Sequence, residues 1–119
     1  MITVKATREG LLGGKTSTGW RITALVPFVA LPSAAALRLW VTVKNPLNGK
    51  SIRALVLDVG PHYETDEAYV FGGARPRAEQ LGHDDYGRVV TNRAGIDLGE
   101  KVWAALGMTD NTDVQWEFA

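Results

Sequence analysis

The sequence contains no cysteine and no excess of either charge. Without cysteine, disulfide scaffolds, thiolate zinc sites and thiol nucleophiles are excluded. Thirteen Lys and Arg residues balance thirteen Asp and Glu residues, and nucleic-acid binding normally requires a basic face. No segment approaches the ~18 apolar residues of a membrane span, and the alternating residues 1–6 do not resemble a secretory signal. We therefore expect no nucleic-acid partner, no membrane insertion and no signal peptide.

The composition predicts one mainly β domain over the 119 residues, of which 45% are hydrophobic. The strand-like segments are residues 2–6, 20–26, 38–44, 51–58 and 114–118. The segments 38–44 and 51–58 flank the turn sequence Asn48-Gly49, so we predict a hairpin there. Short helices are predicted only after Ser33 and at 98–106.

Periodicity disappears in the long segment that follows the hairpin, between residues 61 and 94. Loops of more than ~12–15 residues are uncommon in compact domains and are usually functional or disordered. This segment contains several aromatic residues, which indicates that it packs on the domain. We predict that it flanks a groove and lies outside the core, so that deletion of residues 68–85 leaves the domain folded.

Two carboxylates occupy positions suited to chemistry on a glycosidic bond. Asp58 ends a predicted strand beside a turn, and Asp97 precedes the helix at 98–106. Glycoside cleavage uses one protonated carboxyl group to donate to the leaving oxygen and a second group that supports the developing charge. The alternative is structural, with Asp58 capping the turn and Asp97 capping the helix, and a capping aspartate is ionised.

Two other groups of residues are candidate ligand sites. The sequence His83-Asp84-Asp85 lacks a third metal ligand at a known spacing, so neither a metal nor another cofactor is expected. Trp20 lies beside a Gly/Thr-rich loop at residues 10–19 and is the best candidate for an aromatic sugar platform. The tryptophans at 40, 103 and 116 follow strand or helix patterns and are expected in the core.

Three segments in this order resemble those of a known family. They are Gly14-Lys15-Thr16-Ser17-Thr18-Gly19, Val56-Leu57-Asp58-Val59-Gly60-Pro61 and Gly95-Ile96-Asp97-Leu98. The chain resembles the double-psi β-barrel domain of rare-lipoprotein-A-type lytic transglycosylases, whose fold is shared by expansins and barrel-type endoglucanases. The resemblance implies a six-stranded barrel with an open groove for a polysaccharide, here the glycan strand of peptidoglycan.

The same resemblance implies roles for individual residues. Asp97 would be the general acid, with Asp58 assisting it from the same groove. Thr16, Trp20, His62 and Tyr63 would contact the substrate. A wall-directed fold without an export signal also suggests a bacteriophage protein, delivered to the cell wall by the phage, with a phage or self-assembly partner as a further option.

Three functions therefore remain open from the sequence. The first is a glycan-cleaving enzyme, either a lytic transglycosylase or a glycoside hydrolase. The second is a non-catalytic module that binds cell-wall glycan, and the third is a phage structural protein that retains the barrel. The apolar stretch Ala54 to Leu57 supplies no second acid before Asp58, which favours the last two, whereas the presence of Asp58 and Asp97 favours the first.

Overall fold

The computed structural model describes residues 1–10, 13–61, 65–81 and 93–119. In these ranges six strands close into a barrel in the order β1-β5-β2-β4-β3-β6. The strands are β1 (Ile2–Arg8), β2 (Phe28–Leu31), β3 (Trp40–Lys44), β4 (Ser51–Val59), β5 (Ile96–Leu98) and β6 (Asp113–Phe118). The helices are α1 (Glu67–Val70), α2 (Arg77–Leu81) and α3 (Glu100–Ala105), with a 3₁₀ turn at Ala34–Ala36. Within these ranges, no helix combines the length and the apolar character that a bilayer crossing requires.

The predicted fold class is confirmed. The sheet is mixed, because β1 pairs with β5 and β2 pairs with β4 in parallel, whereas the other pairs are antiparallel. The predicted hairpin is formed by β3 and β4, and β3 also pairs with the terminal strand β6. The hairpin and the terminal strand thus belong to one closed barrel, which leaves no long sheet edge exposed.

The prediction of a strand at residues 20–26 was wrong. Residues 13–22 fold back on themselves, with Lys15 bridged to Arg21 and the Ile22 N–H donating to the Gly14 carbonyl at 2.8 Å. Their backbone groups are therefore used within this small hairpin, which we call the Gly/Thr hairpin. The barrel strand begins only at Phe28.

The prediction that Asp97 caps a helix was also wrong. Helix α3 begins at Glu100 with Gly99 at the N-cap. Asp97 lies in the middle of β5, where it pairs in register with Thr7 on one side and Ala30 on the other. Because its backbone belongs to the sheet, its side chain projects from the barrel wall, and Gly99 occupies the N-cap position of α3 instead.

The barrel interior is filled by alternate apolar residues of every strand. Its fully buried members include Val4, Val29, Leu31, Val41, Val43, Val56, Ile96, Leu98 and Val114. A second, smaller cluster lies outside the barrel wall, where Ile22, Phe28 and Leu57 pack together. The two clusters show which residues of β2 and β4 face inward and which face outward.

The segment between β4 and β5 contributes to the core, contrary to the prediction. Tyr69 of α1 is 1% exposed, donates its hydroxyl proton to the Gly95 carbonyl at 2.9 Å and accepts a hydrogen bond from Trp116 Nε1 at 2.8 Å. Val70 joins the same interior cluster. Deletion of residues 68–85 would therefore remove core side chains and leave buried polar groups without partners, so that variant is expected to unfold.

A bulge in β4 turns Asp58 toward the outside of the barrel. Val29 pairs with Val56, but the next residue, Ala30, pairs with Asp58, so Leu57 is an extra residue on β4. Strict alternation would point Asp58 inward with Val56. Because of the extra residue, Leu57 and Asp58 both face outward, which is how bulges commonly re-aim side chains near functional sites.

Gly99, between β5 and α3, is required by close packing against Phe28. A Cβ atom at residue 99 would lie 2.5 Å from a ring carbon of Phe28. We expect Gly99→Ala to reduce the free energy of unfolding by about 1–3 kcal/mol, the usual cost of overpacking. Gly10→Ala is the matched control, because a Cβ there meets nothing within 4 Å. Chemical denaturation of both variants tests this, and equal stabilities would contradict it.

Candidate active site

Four outward-facing side chains form one row across the barrel wall. In register, Thr7 of β1 pairs with Asp97 of β5, and Ala30 of β2 pairs with both Asp97 and Asp58. Because side chains of paired residues share a face of the sheet, the row runs Thr7, Asp97, Ala30, Asp58. The small side chain of Ala30 separates the two carboxylates, and both are partly exposed to solvent.

The Gly/Thr hairpin holds Asp58 in place. The Ser17 backbone N–H and hydroxyl both donate to Asp58 Oδ1, at 3.0 and 2.5 Å. The Thr18 hydroxyl donates to the Leu57 carbonyl at 2.9 Å. The hairpin is therefore tied to β4 at the bulge, which explains why a Gly/Thr-rich loop stands near this strand in the fold.

Asp97 is held from the opposite direction. The Thr7 hydroxyl donates a hydrogen bond to Asp97 Oδ1. A Cβ atom at Gly60 would lie 3.5 Å from Asp97 Oδ2, so the turn after β4 passes directly beside this carboxylate. The turn after Asp58 and the strand carrying Asp97 thus meet at one place on the surface.

Glu9 is a third acid in this row, and the sequence analysis missed it. It follows β1 two residues after Thr7, so strand alternation places it on the same outer face, and its N–H donates to the Leu98 carbonyl at 2.8 Å. Glu9 Oε2 is buried and has no hydrogen-bond donor among the described residues. The alternation of Thr7 and Glu9 beyond the predicted end of β1 was the available signal, but the predicted strand ended at residue 6.

The environment of Glu9 favours its protonated form. Partial burial, followed by a hydrogen bond to Asp58 and the charges of Asp58 and Asp97, raises the pKa of Glu9 to about 8. At neutral pH the Glu9 carboxyl group therefore carries a proton that it donates to Asp58. This proton also accounts for the buried oxygen without a donor, since a neutral carboxyl group needs fewer partners than a carboxylate.

Asp58 is the ionised partner of Glu9. Partial burial acts to raise the pKa of Asp58, but hydrogen bonds from Glu9, from the Ser17 hydroxyl and backbone, and from the Val59 backbone outweigh it and lower that pKa below its usual value. The site thus contains adjacent carboxyl groups whose surroundings move their pKa values in opposite directions. Such a pair is characteristic of acid–base sites.

The strand end that carries Glu9 is fixed to α3. The Arg8 guanidinium donates two hydrogen bonds to the Glu100 carboxylate, at 2.6 and 2.7 Å, and lies 5.5 Å from the ring centre of Trp103. A bidentate pair of this kind restricts orientation as well as distance. The pair therefore ties the end of β1, next to Glu9, to α3.

The predicted substrate-binding residues are placed unequally. Thr16 is 7% exposed, and its hydroxyl is bonded within the Gly/Thr hairpin to the Thr18 hydroxyl and the Trp20 N–H. Trp20 is 51% exposed, on the hairpin that holds Asp58. His62 and Tyr63 lie outside the described residues, as do His83-Asp84-Asp85. Substrate contact by the four residues named in the sequence analysis, two of them on the Gly/Thr hairpin and two outside the described residues, stays a prediction.

The other tryptophans divide into buried and exposed residues. Trp103 and Trp116 are buried, as expected, at 8% and 2% exposure. Trp40 was expected in the core but is 46% exposed. It is the first residue of β3 and pairs with Leu55, whose side chain packs against the outer cluster, so the Trp40 side chain also faces outward.

Comparison with known proteins identifies the family. Residues 1–117 match DUF8814, a domain of unknown function. The chain belongs to this family. No functionally curated protein has significant sequence similarity to it.

Solved structures support the same fold. The chain is similar to a Streptomyces papain inhibitor with 20% identity and a TM-score of 0.54, covering 99% of this chain and 93% of that one. It is also similar to cerato-platanin 3 from M. perniciosa, with 10% identity, a TM-score of 0.57 and coverage of 99% and 94%. Both are double-psi β-barrels of the expansin-like type, and this DUF8814 chain has that fold. The closer relation to rare-lipoprotein-A-type transglycosylases and the phage association stay predictions.

Proposed function

We propose that this protein cleaves the glycan strand of peptidoglycan, with Glu9 as the general acid. The observation that carries the proposal is the row in which Asp58 and Asp97 flank Ala30 and Glu9 follows Thr7 on the same face, and the raised pKa of Glu9 beside the lowered pKa of Asp58 supports it. The row lies on the outer wall of a barrel and is partly exposed, as a site for a long polymer must be. The resemblance to the transglycosylase family supports the choice of polymer.

The chemistry needs one proton donor and stabilisation of positive charge. Glu9 donates its proton to the glycosidic oxygen as the bond to the anomeric carbon breaks. The carboxylates of Asp58 and Asp97 stabilise the positive charge that develops on the sugar ring. The 6-hydroxyl group of the same sugar then bonds to the anomeric carbon, and its proton returns to Glu9. The products are a 1,6-anhydro end and a free 4-hydroxyl, and no water is consumed.

This proposal moves the general acid from Asp97, where the sequence placed it, to Glu9. Asp97 Oδ1 accepts a hydrogen bond from Thr7, which orients this carboxylate within the row. Glu9 has the raised pKa that a general acid needs near neutral pH. The residues before Asp58 are apolar and supply no second acid. Glu9, at the end of β1, supplies it instead.

The test is incubation with purified peptidoglycan, followed by mass spectrometry of the soluble products. We expect 1,6-anhydro ends from the wild-type protein. Reducing ends would show that water replaces the 6-hydroxyl as nucleophile and would contradict the transglycosylase route. No soluble products from folded protein would contradict cleavage itself.

Binding without cleavage is the second candidate, and the exposed ring of Trp20 favours it. This indole lies on the hairpin that holds Asp58 and is 51% exposed, as expected for a platform on which a sugar ring stacks. A pull-down with insoluble peptidoglycan separates the two functions. Retention of the protein on peptidoglycan, lost in Trp20→Ala and accompanied by no soluble products, would establish the binding function.

A further inference from the structure

A pocket away from the three acids combines aromatic and cationic groups. It has a volume of about 320 Å³ and is lined by Arg38, Leu39, Trp40, Arg53, Phe118 and Ala119. We call it the Trp40 pocket. Its volume lies at the lower end of the range for small-molecule sites, about 300–1,000 Å³. Arg53 and Asp58 lie on the same strand, roughly 16 Å apart at about 3.3 Å per residue, so the pocket is separate from the acid row.

Among the described residues, neither arginine of the pocket has an anionic partner. In the described part of the chain, no carboxylate lies within ion-pair distance of Arg38 or Arg53. The nearest acid in register is Glu117, because Thr42 pairs with Arg53 on one side and with Glu117 on the other. Glu117 Oε2, however, lies 3.8 Å from the Met1 amino group. The side chains that line the Trp40 pocket therefore carry two positive charges and no negative charge, and in the described part of the chain the Ala119 carboxylate forms no ion pair with either arginine.

The aromatic part of the pocket is also available to a ligand. The Arg53 guanidinium lies 5.3 Å from the centre of the Trp40 ring, which is cation–π distance. Trp40 nevertheless remains 46% exposed. An aromatic face beside a guanidinium matches a ligand that has an apolar ring face and a negative group on the same ring.

The backbone at Arg38 is held in an uncommon conformation. Its φ is +68°, in the left-handed region that non-glycine residues rarely occupy. The Arg38 N–H donates to the Val56 carbonyl at 2.7 Å, and the Leu39 carbonyl accepts from the Val56 N–H at 2.9 Å. Strand β4 thus fixes an arginine where glycine would be less strained, a pattern that occurs at ligand sites.

We propose that the Trp40 pocket binds a sugar that carries a carboxylate. Arg38 and Arg53 bind the carboxylate, since guanidinium groups match its two oxygens. The sugar ring packs against the Trp40 indole. This inference rests on the pocket alone and does not depend on cleavage at Glu9.

Titrations followed by two-dimensional NMR test the proposal. The probes are glucuronate, its neutral counterpart glucose, and inorganic phosphate as a carboxylate-free anion. We expect glucuronate to shift the Trp40 indole N–H resonance and to bind at least about tenfold more tightly than glucose, because the charged hydrogen bonds are lost with glucose. Phosphate should bind more weakly than glucuronate and leave the indole resonance in place.

Three variants locate the binding. We expect Arg53→Gln and Arg38→Gly each to weaken glucuronate binding by about tenfold or more, and glycine at residue 38 keeps the left-handed backbone. Lys101→Gln is the control, because it removes an exposed positive charge from α3, and it should bind as the wild type does. Circular dichroism confirms that the variants are folded. Equal affinity for glucose, equal indole shifts with phosphate, or unchanged binding in both arginine variants would overturn the proposal.

Discussion

Glu9→Gln is expected to reduce the release of soluble glycan fragments by about 10²-fold or more, the usual range for loss of a general acid or base. Glutamine has nearly the same shape, and its amide can still donate a hydrogen bond to Asp58, but it cannot transfer a proton to the glycosidic oxygen. The measurement is the initial rate of release from purified peptidoglycan at pH 6–7, where Glu9 is protonated in the wild type.

Stability measurements separate this loss of activity from a loss of fold. The pKa of Glu9 is raised to about 8 in the folded protein, whereas an unfolded glutamate has its usual value near 4.3. Between these values the folded state binds more protons, so this residue makes stability fall as the pH rises. Glutamine does not titrate. Glu9→Gln should therefore equal the wild type in stability at pH 4 and below, and exceed it at pH 9, by about 1 kcal/mol given the partial exposure of the side chain.

Opposite results would contradict the role of Glu9. If the thermal unfolding midpoint of Glu9→Gln is lower than that of the wild type at both pH values, Glu9 has a structural role. Activity within a few-fold of the wild type would place the proton donor elsewhere, and Asp97→Asn would then be the next variant to assay.

Local patterns predicted the mainly β domain and its hairpin, and the closed barrel is what the family resemblance implied. The hairpin at β3 and β4 and the alternation of β6 depend on neighbouring residues, and these elements lie where the sequence placed them. The strand predicted at 20–26 does not form. Its residues have strand propensity, but their hydrogen-bond partners are in their own hairpin. The prediction that the segment containing Tyr69 lies outside the core was wrong for a related reason. Tyr69 is buried by contacts with Gly95 and Trp116, which are distant in the sequence.

The site could be predicted only in part, because its assembly depends on register. The sequence identified Asp58 and Asp97 but not their separation, which follows from the pairing of both with Ala30. The outward direction of Asp58 depends on the bulge at Leu57, and no local pattern indicates a bulge in a parallel pair. Glu9 was missed because β1 continues to Arg8, and only a strand that reaches this far places Glu9 beside the other acids.

The pH dependence of cleavage should show the coupling between Glu9 and Asp58. Cleavage requires protonated Glu9, so its rate should fall about tenfold per pH unit above pH 8. Asp58→Asn removes a negative charge that raises the pKa of Glu9, and the alkaline fall should therefore begin at lower pH, by about one unit. Burial is the largest cause of the raised pKa of Glu9 and remains in the variant. The alkaline fall in rate should therefore stay above the pH range in which an ordinary glutamate titrates.

Ser17→Ala is the matched control for this experiment. It removes the hydroxyl that donates to Asp58 Oδ1 at 2.5 Å but keeps the charge that acts on Glu9. Loss of this donor raises the pKa of Asp58, so the acid limb of the profile should move to higher pH while the alkaline limb stays in place. Initial rates from pH 4 to 10 at constant ionic strength distinguish the two variants. An alkaline limb that is unchanged in Asp58→Asn would mean that Glu9 does not supply the proton, because the charge of Asp58 and its hydrogen bond with Glu9 both raise the pKa of Glu9.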